Sequence, residues 1–463
     1  MTPAAGAPPA RDARLWPLWL LWTGFVVYGS LVPLDFHPLP WPAAWQRLVQ
    51  APMLQLGIES RADWVANGVL YLPVGFLTTG VLMGAAARTG RKLLAGILGL
   101  CFGALLALTV ELAQTAFPPR TVSRNDLLAE GIGTALGMLV ALGGAARFRA
   151  LLTSYGRGGW LLAERLAPFY ALLFVALALF PFDVLLSAAE GQAKFDGPLV
   201  GLWLAESSLA LGGARLMAKL ALEAAAVLPL GALWVGWRQR GRTPHGAAAA
   251  ALPGLLPLAL AGVVLGLLVE GAQLLLASGQ SQGISVLTRV AGFVLGAVAW
   301  QRHSAMTGES VRALLRRFSA PLIAATLLLL VLYNNAWRGP WLAPGEALQR
   351  LQHGVHYMPF YYHYFTSEMQ AVTSLVVVSV SYAPLGLLGW AWHANPGVLA
   401  TLALLLSTAM ELSKLMAQNA HPDPTNLLIA AAAAWATQAL TQRLLRPAPP
   451  AAPARPTTRR ARA

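Results

Sequence analysis

The sequence predicts an all-α, polytopic membrane protein of about twelve transmembrane helices arranged as three four-helix repeats. Three observations carry this. Only 11% of the residues are charged while 57% are hydrophobic. Apolar runs of about 18 or more residues recur, each long enough to cross a hydrocarbon core of about 30 Å. These runs lack the two-residue alternation of barrel strands, so the spanning element is the helix, which satisfies its own backbone hydrogen bonds in lipid.

The spans centre on Leu15 to Val32, Trp64 to Gly84, Leu93 to Phe117, Leu127 to Ala145, Leu166 to Phe182, Leu216 to Trp237, Leu255 to Ala277, Ile284 to Trp300, Leu322 to Tyr333, Val372 to Trp392, Val398 to Met416 and Leu427 to Leu440. The first is longer than the apolar core of a signal peptide and is followed by no clear cleavage site, so it reads as a retained span.

A repeat appears once the spans are aligned. A proline-x-glycine lies inside the second span of each unit, at Pro73-Val74-Gly75, Pro229-Leu230-Gly231 and Pro384-Leu385-Gly386. A glutamate follows late in the next span, at Glu111, Glu270 and Glu411, and then a polar turn leads into a helix of small residues. The units are residues 15–147, 160–302 and 318–445, with a disordered basic tail over 446–463. That tail is too rich in Pro, Ala and Arg to bury a core.

The formal charge of +14 does not point to nucleic acid. Basic clusters at Arg88, Arg91 and Lys92, at Arg147 and Arg149, at Arg238 and Arg240, at Arg312, Arg316 and Arg317, and in the tail fall in alternate loops. This is the positive-inside pattern, and it places both termini in the cytoplasm. Each unit also has a longer loop after its first span, rich in aromatics such as Trp41 and Trp45, Trp203, or Tyr357 to Phe365. Short helices lying at the membrane interface, or a cap on the bundle, would both use such residues. The lone Cys101 excludes an internal disulfide. His353, His356 and His363 match no metal-binding pattern, so neither metal nor cofactor is expected.

The chemistry gathers in the first unit. Glu111 and Gln114, three apart, share a helix face at the end of the third span. Arg120 lies in the following turn. Ser123 and Asp126 have the spacing of a capping box, with Ser123 capping the fourth span and Asp126 reaching back. Glu130 stands one turn further on, and Asp63 and Asn67, four apart, open the second span. Ionisable groups are expensive in a bilayer, so these eight residues form the candidate polar pocket. At the places of Asp63 and Asn67 the second unit has Lys219 and Glu223, and the third has Ser374 and Val378. At those of Gln114, Arg120 and Asp126 the later units have Gln273, Gly279 and Ser285, then Lys414, Ala420 and Asn426, while Arg289 stands at that of Glu130. Gly133 and Gly137, with Gly292 and Gly296, have the spacing of closely packed transmembrane helices.

The run Asp63-Trp64-Val65-Ala66-Asn67, Leu72-Pro73-Val74-Gly75-Phe76, Glu111, Gln114, Arg120, Ser123, Asp126, Gly133 and Gly137 resembles the VanZ-like family. The resemblance is specific over the first unit and weak but ordered in the other two. The family consists of small multispan proteins named for a member associated with low-level teicoplanin resistance. It therefore implies the bacterial inner membrane and a cell-envelope role, and it carries no reaction. One place departs from the family's pattern, where Glu130 replaces an asparagine. The expected partners are membrane lipids and a lipid-linked or glycopeptide-like envelope component at an outward-facing pocket. A transporter or flippase, and a scaffold in which charges only pair helices, are the rival readings.

Overall fold

The computed structural model describes residues 14–53, 55–84, 88–238, 254–303, 307–334, 339–418 and 420–446. The expected tail lies outside the described residues from 447 onward.

The chain runs α1 (Trp16–Leu31), α2 (Trp41–Val49), α3 (Ile58–Met83), α4 (Thr89–Gln114), α5 (Arg124–Arg157), α6 (Gly159–Ala178), α7 (Ala188–Phe195), β1 (Val200–Gly201), α8 (Glu206–Leu209), α9 (Gly213–Arg238) and α10 (Leu255–Leu274). It continues through β2 (Ser281–Gln282), α11 (Gly283–His303), α12 (Gly308–Arg317), α13 (Ser319–Tyr333), α14 (Pro344–His353), α15 (Tyr361–Tyr364), α16 (Glu368–Ala391), α17 (Pro396–Met416) and α18 (Thr425–Leu444). It is an all-α membrane protein. The two-residue strands pair in parallel, Val200 with Ser281 and Gly201 with Gln282, and pin the α7–α9 connection to the turn before α11.

Among the described residues nine helices are long and apolar enough to cross a membrane, or ten if α12 and α13, bent by 66°, count as one span. The sequence reading of about twelve adds α1, α13 alone and α18. The first has 16 residues and α13 has 15, so at 1.5 Å per residue they reach only about 22–24 Å. α18 is long enough, but Asn426, Gln438, Gln442 and Arg443 lower its mean hydropathy.

Packing inverts the order of a soluble core. Large apolar side chains such as Leu256, Leu260, Val264 and Leu267 of α10 face outward, while Leu258, Gly262, Gly266, Val269 and Glu270 form its buried face. Lipid is as apolar as leucine, so association depends on close approach of small residues. The proline inside α3, α9 and α16 removes one N–H and its backbone bond. Two residues on, the glycine lets the helix touch a partner's backbone. A Cβ at Gly75 would stand 2.0 Å from Thr134 O of α5, one at Gly231 1.9 Å from Phe293 O of α11, and one at Gly386 2.5 Å from Ala434 O of α18. The same pairing of a proline-containing helix with the last helix of its segment thus occurs three times.

The segments meet through their long loops. Arg61 of α3 forms a bidentate pair with Glu190 of α7 at 2.9 and 3.0 Å and also reaches Val184 O at 3.0 Å. That guanidinium, with the Leu186 N–H, holds the Glu190 carboxyl down at about 2. Tyr28 of α1 donates to Pro359 O at 2.6 Å, and Phe25 meets Phe360 edge-on at 6.1 Å. On the basic side, Arg238 stacks on Trp234, Arg312 on Trp390 and Arg316 on Trp392. These contacts combine cation–π attraction with burial of the long stems.

Candidate functional site

Three helix segments and one turn build the first unit's polar cavity. Glu111 and Gln114 lie at the end of α4, where the buried stripe Gly103, Ala107, Glu111 ends in a carboxylate. The turn that follows is fixed by α2 and its flank. Arg47 donates to Thr115 O at 3.2 Å, Arg124 Nη2 to Val49 O at 2.9 Å, and the His37 N–H to Ala116 O at 2.7 Å. α5 supplies Asp126 and Glu130, and α3 supplies Asp63 and Asn67. Trp64 Nε1 locks α3 to the start of α5 through Asn125 O at 2.9 Å.

The cavity has a volume of about 190 Å3, and seven of the eight sequence-singled residues line it: Asp63, Asn67, Glu111, Gln114, Arg120, Asp126 and Glu130. Gly29, Ser30, Leu70, Thr121 and Tyr364 complete the wall. The eighth, Ser123, is buried behind Asp126.

Ser123 corrects the capping-box expectation in its second half. Its Oγ accepts from the Asp126 N–H at 3.2 Å, as a cap should, but it also donates to Asp126 Oδ2 at 2.6 Å. The Asp126 carboxylate is therefore occupied by the hydroxyl and by Asn67 Nδ2 at 2.8 Å. The Ser123 backbone N–H goes to Glu111. Four-residue spacing alone does not show that a carboxylate twelve positions upstream takes that donor. Gln114 Nε2 donates to Ser30 O at 2.8 Å, tying α4 to α1.

Arg120 is held by groups its neighbours in sequence do not reveal. Its Nη2 donates to Gly29 O at 2.5 Å, and its guanidinium lies 4.1 Å from the ring centroid of Tyr364, from the third segment. The Tyr364 hydroxyl donates to Pro119 O. Burial lowers the Arg120 pKa from its ordinary value, and the nearby Tyr364 and Asp63 oppose that shift. Sequence reasoning missed Tyr364 as a cavity residue: the aromatic density of 357–365 was visible, but not the segment it covers. In the same loop His356 stacks on Tyr361, with centroids 3.8 Å apart, and His363 Nδ1 lies 3.3 Å from Asp423.

The carboxylates differ in how far they are satisfied. Glu111 and Glu130 are 2% and 4% exposed, and Oε2 of each lacks a hydrogen-bond partner among the described residues. Residues 17–147 match the VanZ/LLP1 family. This stretch is a VanZ-like unit. No curated protein and no solved structure matches the chain.

Beyond the VanZ-like unit, the corresponding positions are occupied differently. Gln282 N–H donates to Glu270 Oε2 at 2.5 Å and Asp423 N–H to Glu411 Oε2 at 2.8 Å, each twelve residues after its glutamate, as Ser123 is after Glu111. Gln273 Nε2 donates to Ala178 O at 3.0 Å, as Gln114 does to Ser30. Glu270, however, is paired with Arg289, and Glu411 with Lys414 at 2.8 Å and with Asn426 Nδ2 at 2.9 Å. Lys219 lies 3.8 Å from Glu223 and also donates to Gln280. The cavity beside Glu411 measures only about 10 Å3.

Proposed function

We propose that this protein is a cell-envelope component of the bacterial inner membrane, built as three four-helix units of twelve spans with both termini cytoplasmic. Its VanZ-like unit receives the polar part of a lipid-linked or glycopeptide-like envelope molecule in a cavity facing the outer leaflet. The other two units are scaffolding.

The observation that carries this reading is the contrast between the three glutamates. Around Glu111 four carboxylates and one guanidinium line an open cavity, whereas Glu270 and Glu411 are neutralised by cations of their own segments. Buried charges without a partner are retained where they do work, because the bilayer penalises them. Long loops with aromatic residues lie on the cavity's side of the molecule, and the arginine–tryptophan stacks lie on the other. That distribution supports an outward-facing mouth. A transport path through the later units finds less support, since Glu223, Glu270, Glu411 and their cations satisfy one another.

The test is a Glu111→Gln/Asp126→Asn double variant expressed in a host lacking the native protein. Membrane abundance should stay at the wild-type level while the envelope or glycopeptide-sensitivity phenotype is lost. A double variant with the wild-type phenotype would remove the cavity from the function.

A further inference from the structure

The cavity's titratable side chains are held to different degrees. Arg120 is set against Asp63 and Tyr364. Asp126 is taken by Ser123 and Asn67. Glu111 and Glu130 are both more than nine-tenths buried and both line the cavity; Glu111 accepts the Ser123 N–H and Glu130 is set against the Tyr71 hydroxyl, yet each keeps an Oε2 lacking a hydrogen-bond partner among the described residues.

The second unit shows what such a place accepts. Glu270 corresponds to Glu111, and Arg289, nineteen residues further on, stands where Glu130 stands nineteen residues after Glu111. Its guanidinium binds the Glu270 carboxylate directly, with both side chains nearly fully buried. In the third unit Lys414 brings an ammonium to Glu411. Two of three equivalent carboxylates therefore carry a resident organic cation, one guanidinium and one ammonium. At the remaining one the chain offers a second carboxylate instead.

We propose that the cavity of the first unit seats an amine- or guanidine-bearing group of its ligand between Glu111 and Glu130, the place that Arg289 fills from within the second unit. Two carboxylates with unfilled acceptor positions match the several N–H donors of an ammonium or guanidinium. Charge-assisted bonds are stronger than neutral ones, and the acid pair selects against anions. Asn67 and Ser123 keep Asp126 turned aside, so the seat is defined by the two glutamates. Arg120, at the opposite end of the charge balance, is left for an anionic part of the same ligand. This inference names the ligand chemistry of the proposed site and rests on that site being functional.

The test uses the purified full-length protein in phosphatidylglycerol nanodiscs, with methylguanidinium as the probe and sodium at equal ionic strength as the control. Ligands that bind only the folded state raise Tm. Millimolar methylguanidinium should raise the wild-type Tm by several degrees over sodium. Glu130→Arg, which imports the second unit's arrangement, should raise the basal Tm and abolish the response. Glu111→Gln/Glu130→Gln should fold and also lose the response, so the test stands even if the arginine variant does not fold. In nanodiscs that also contain phosphatidylethanolamine, a blunted response would place the amine on a lipid headgroup and an undiminished one on a water-soluble amine; either supports the cation seat. A wild-type rise no larger than that with sodium, or an equal rise in the double glutamine variant, overturns it. Because the readout is binding, failure here leaves the envelope phenotype of Glu111→Gln/Asp126→Asn to be judged separately.

Discussion

Arg289→Ala is expected to destabilise the protein by about 3–5 kcal/mol, the usual consequence of removing one member of a buried ion pair. Glu270 and Arg289 are 5% exposed each, so truncation leaves a carboxylate in a water-poor helix interface. Glu270 has a second duty, accepting the Gln282 N–H at the turn into α11. Its replacement must therefore keep an acceptor, or a further buried donor goes unmet at about 1–3 kcal/mol. Glu270→Gln/Arg289→Met should consequently recover most of the loss, because the amide oxygen still caps the turn and no net charge remains. Unfolding of the three proteins in one detergent checks this. Equal stability of Arg289→Ala and wild type would show that the pair is not closed in the membrane, and would weaken the comparison with the first unit.

The second large effect is steric. At Gly133 and Gly137 an added Cβ would stand 1.9 Å from Gly68 O and 1.9 Å from Leu72 O. Both obstacles are backbone atoms of α3, so no side chain can turn aside and the helices must separate. Overpacking costs about 1–3 kcal/mol per site where the backbone can shift. Gly133→Ala/Gly137→Ala should thus reduce folded protein severely and open the cavity between α3 and α5. Gly131, on the same helix, has nothing within 4 Å of its would-be Cβ. Gly131→Ala should be neutral, or stabilising by up to about 1 kcal/mol through helix propensity. Similar melting temperatures for the double variant and for Gly131→Ala would contradict the close approach of α3 and α5.

Much of this arrangement is legible in the sequence because two signals are local. Proline-x-glycine marks a helix with a bare face, and a glutamate four residues after a small residue extends that bare face: Ala107 before Glu111, Gly266 before Glu270, Ser407 before Glu411. The polar residues of the first unit are legible for the same reason, since 3.6-residue periodicity puts Asp63 and Asn67 on one stripe and Asp126 and Glu130 on another. Partner choice is not legible. Whether the Ser123 N–H goes to Asp126 or to Glu111 depends on where α4 ends relative to α5. That Tyr364 of the third segment covers Arg120 depends on how segments pack, and no spacing within the first unit encodes it.

Side-specific modification of the cavity wall tests the central claim most directly. Ser30 lines the cavity, and its replacement by cysteine is nearly isosteric. With Cys101 changed to Ser, a Ser30→Cys protein can be treated in intact cells with membrane-impermeant thiosulfonate reagents of opposite charge. An outward-facing acidic cavity requires modification from outside, faster with the cationic reagent than with the anionic one, and a loss of that preference in Glu111→Gln/Glu130→Gln. Modification only in inside-out vesicles, or faster reaction with the anionic reagent, would contradict the account.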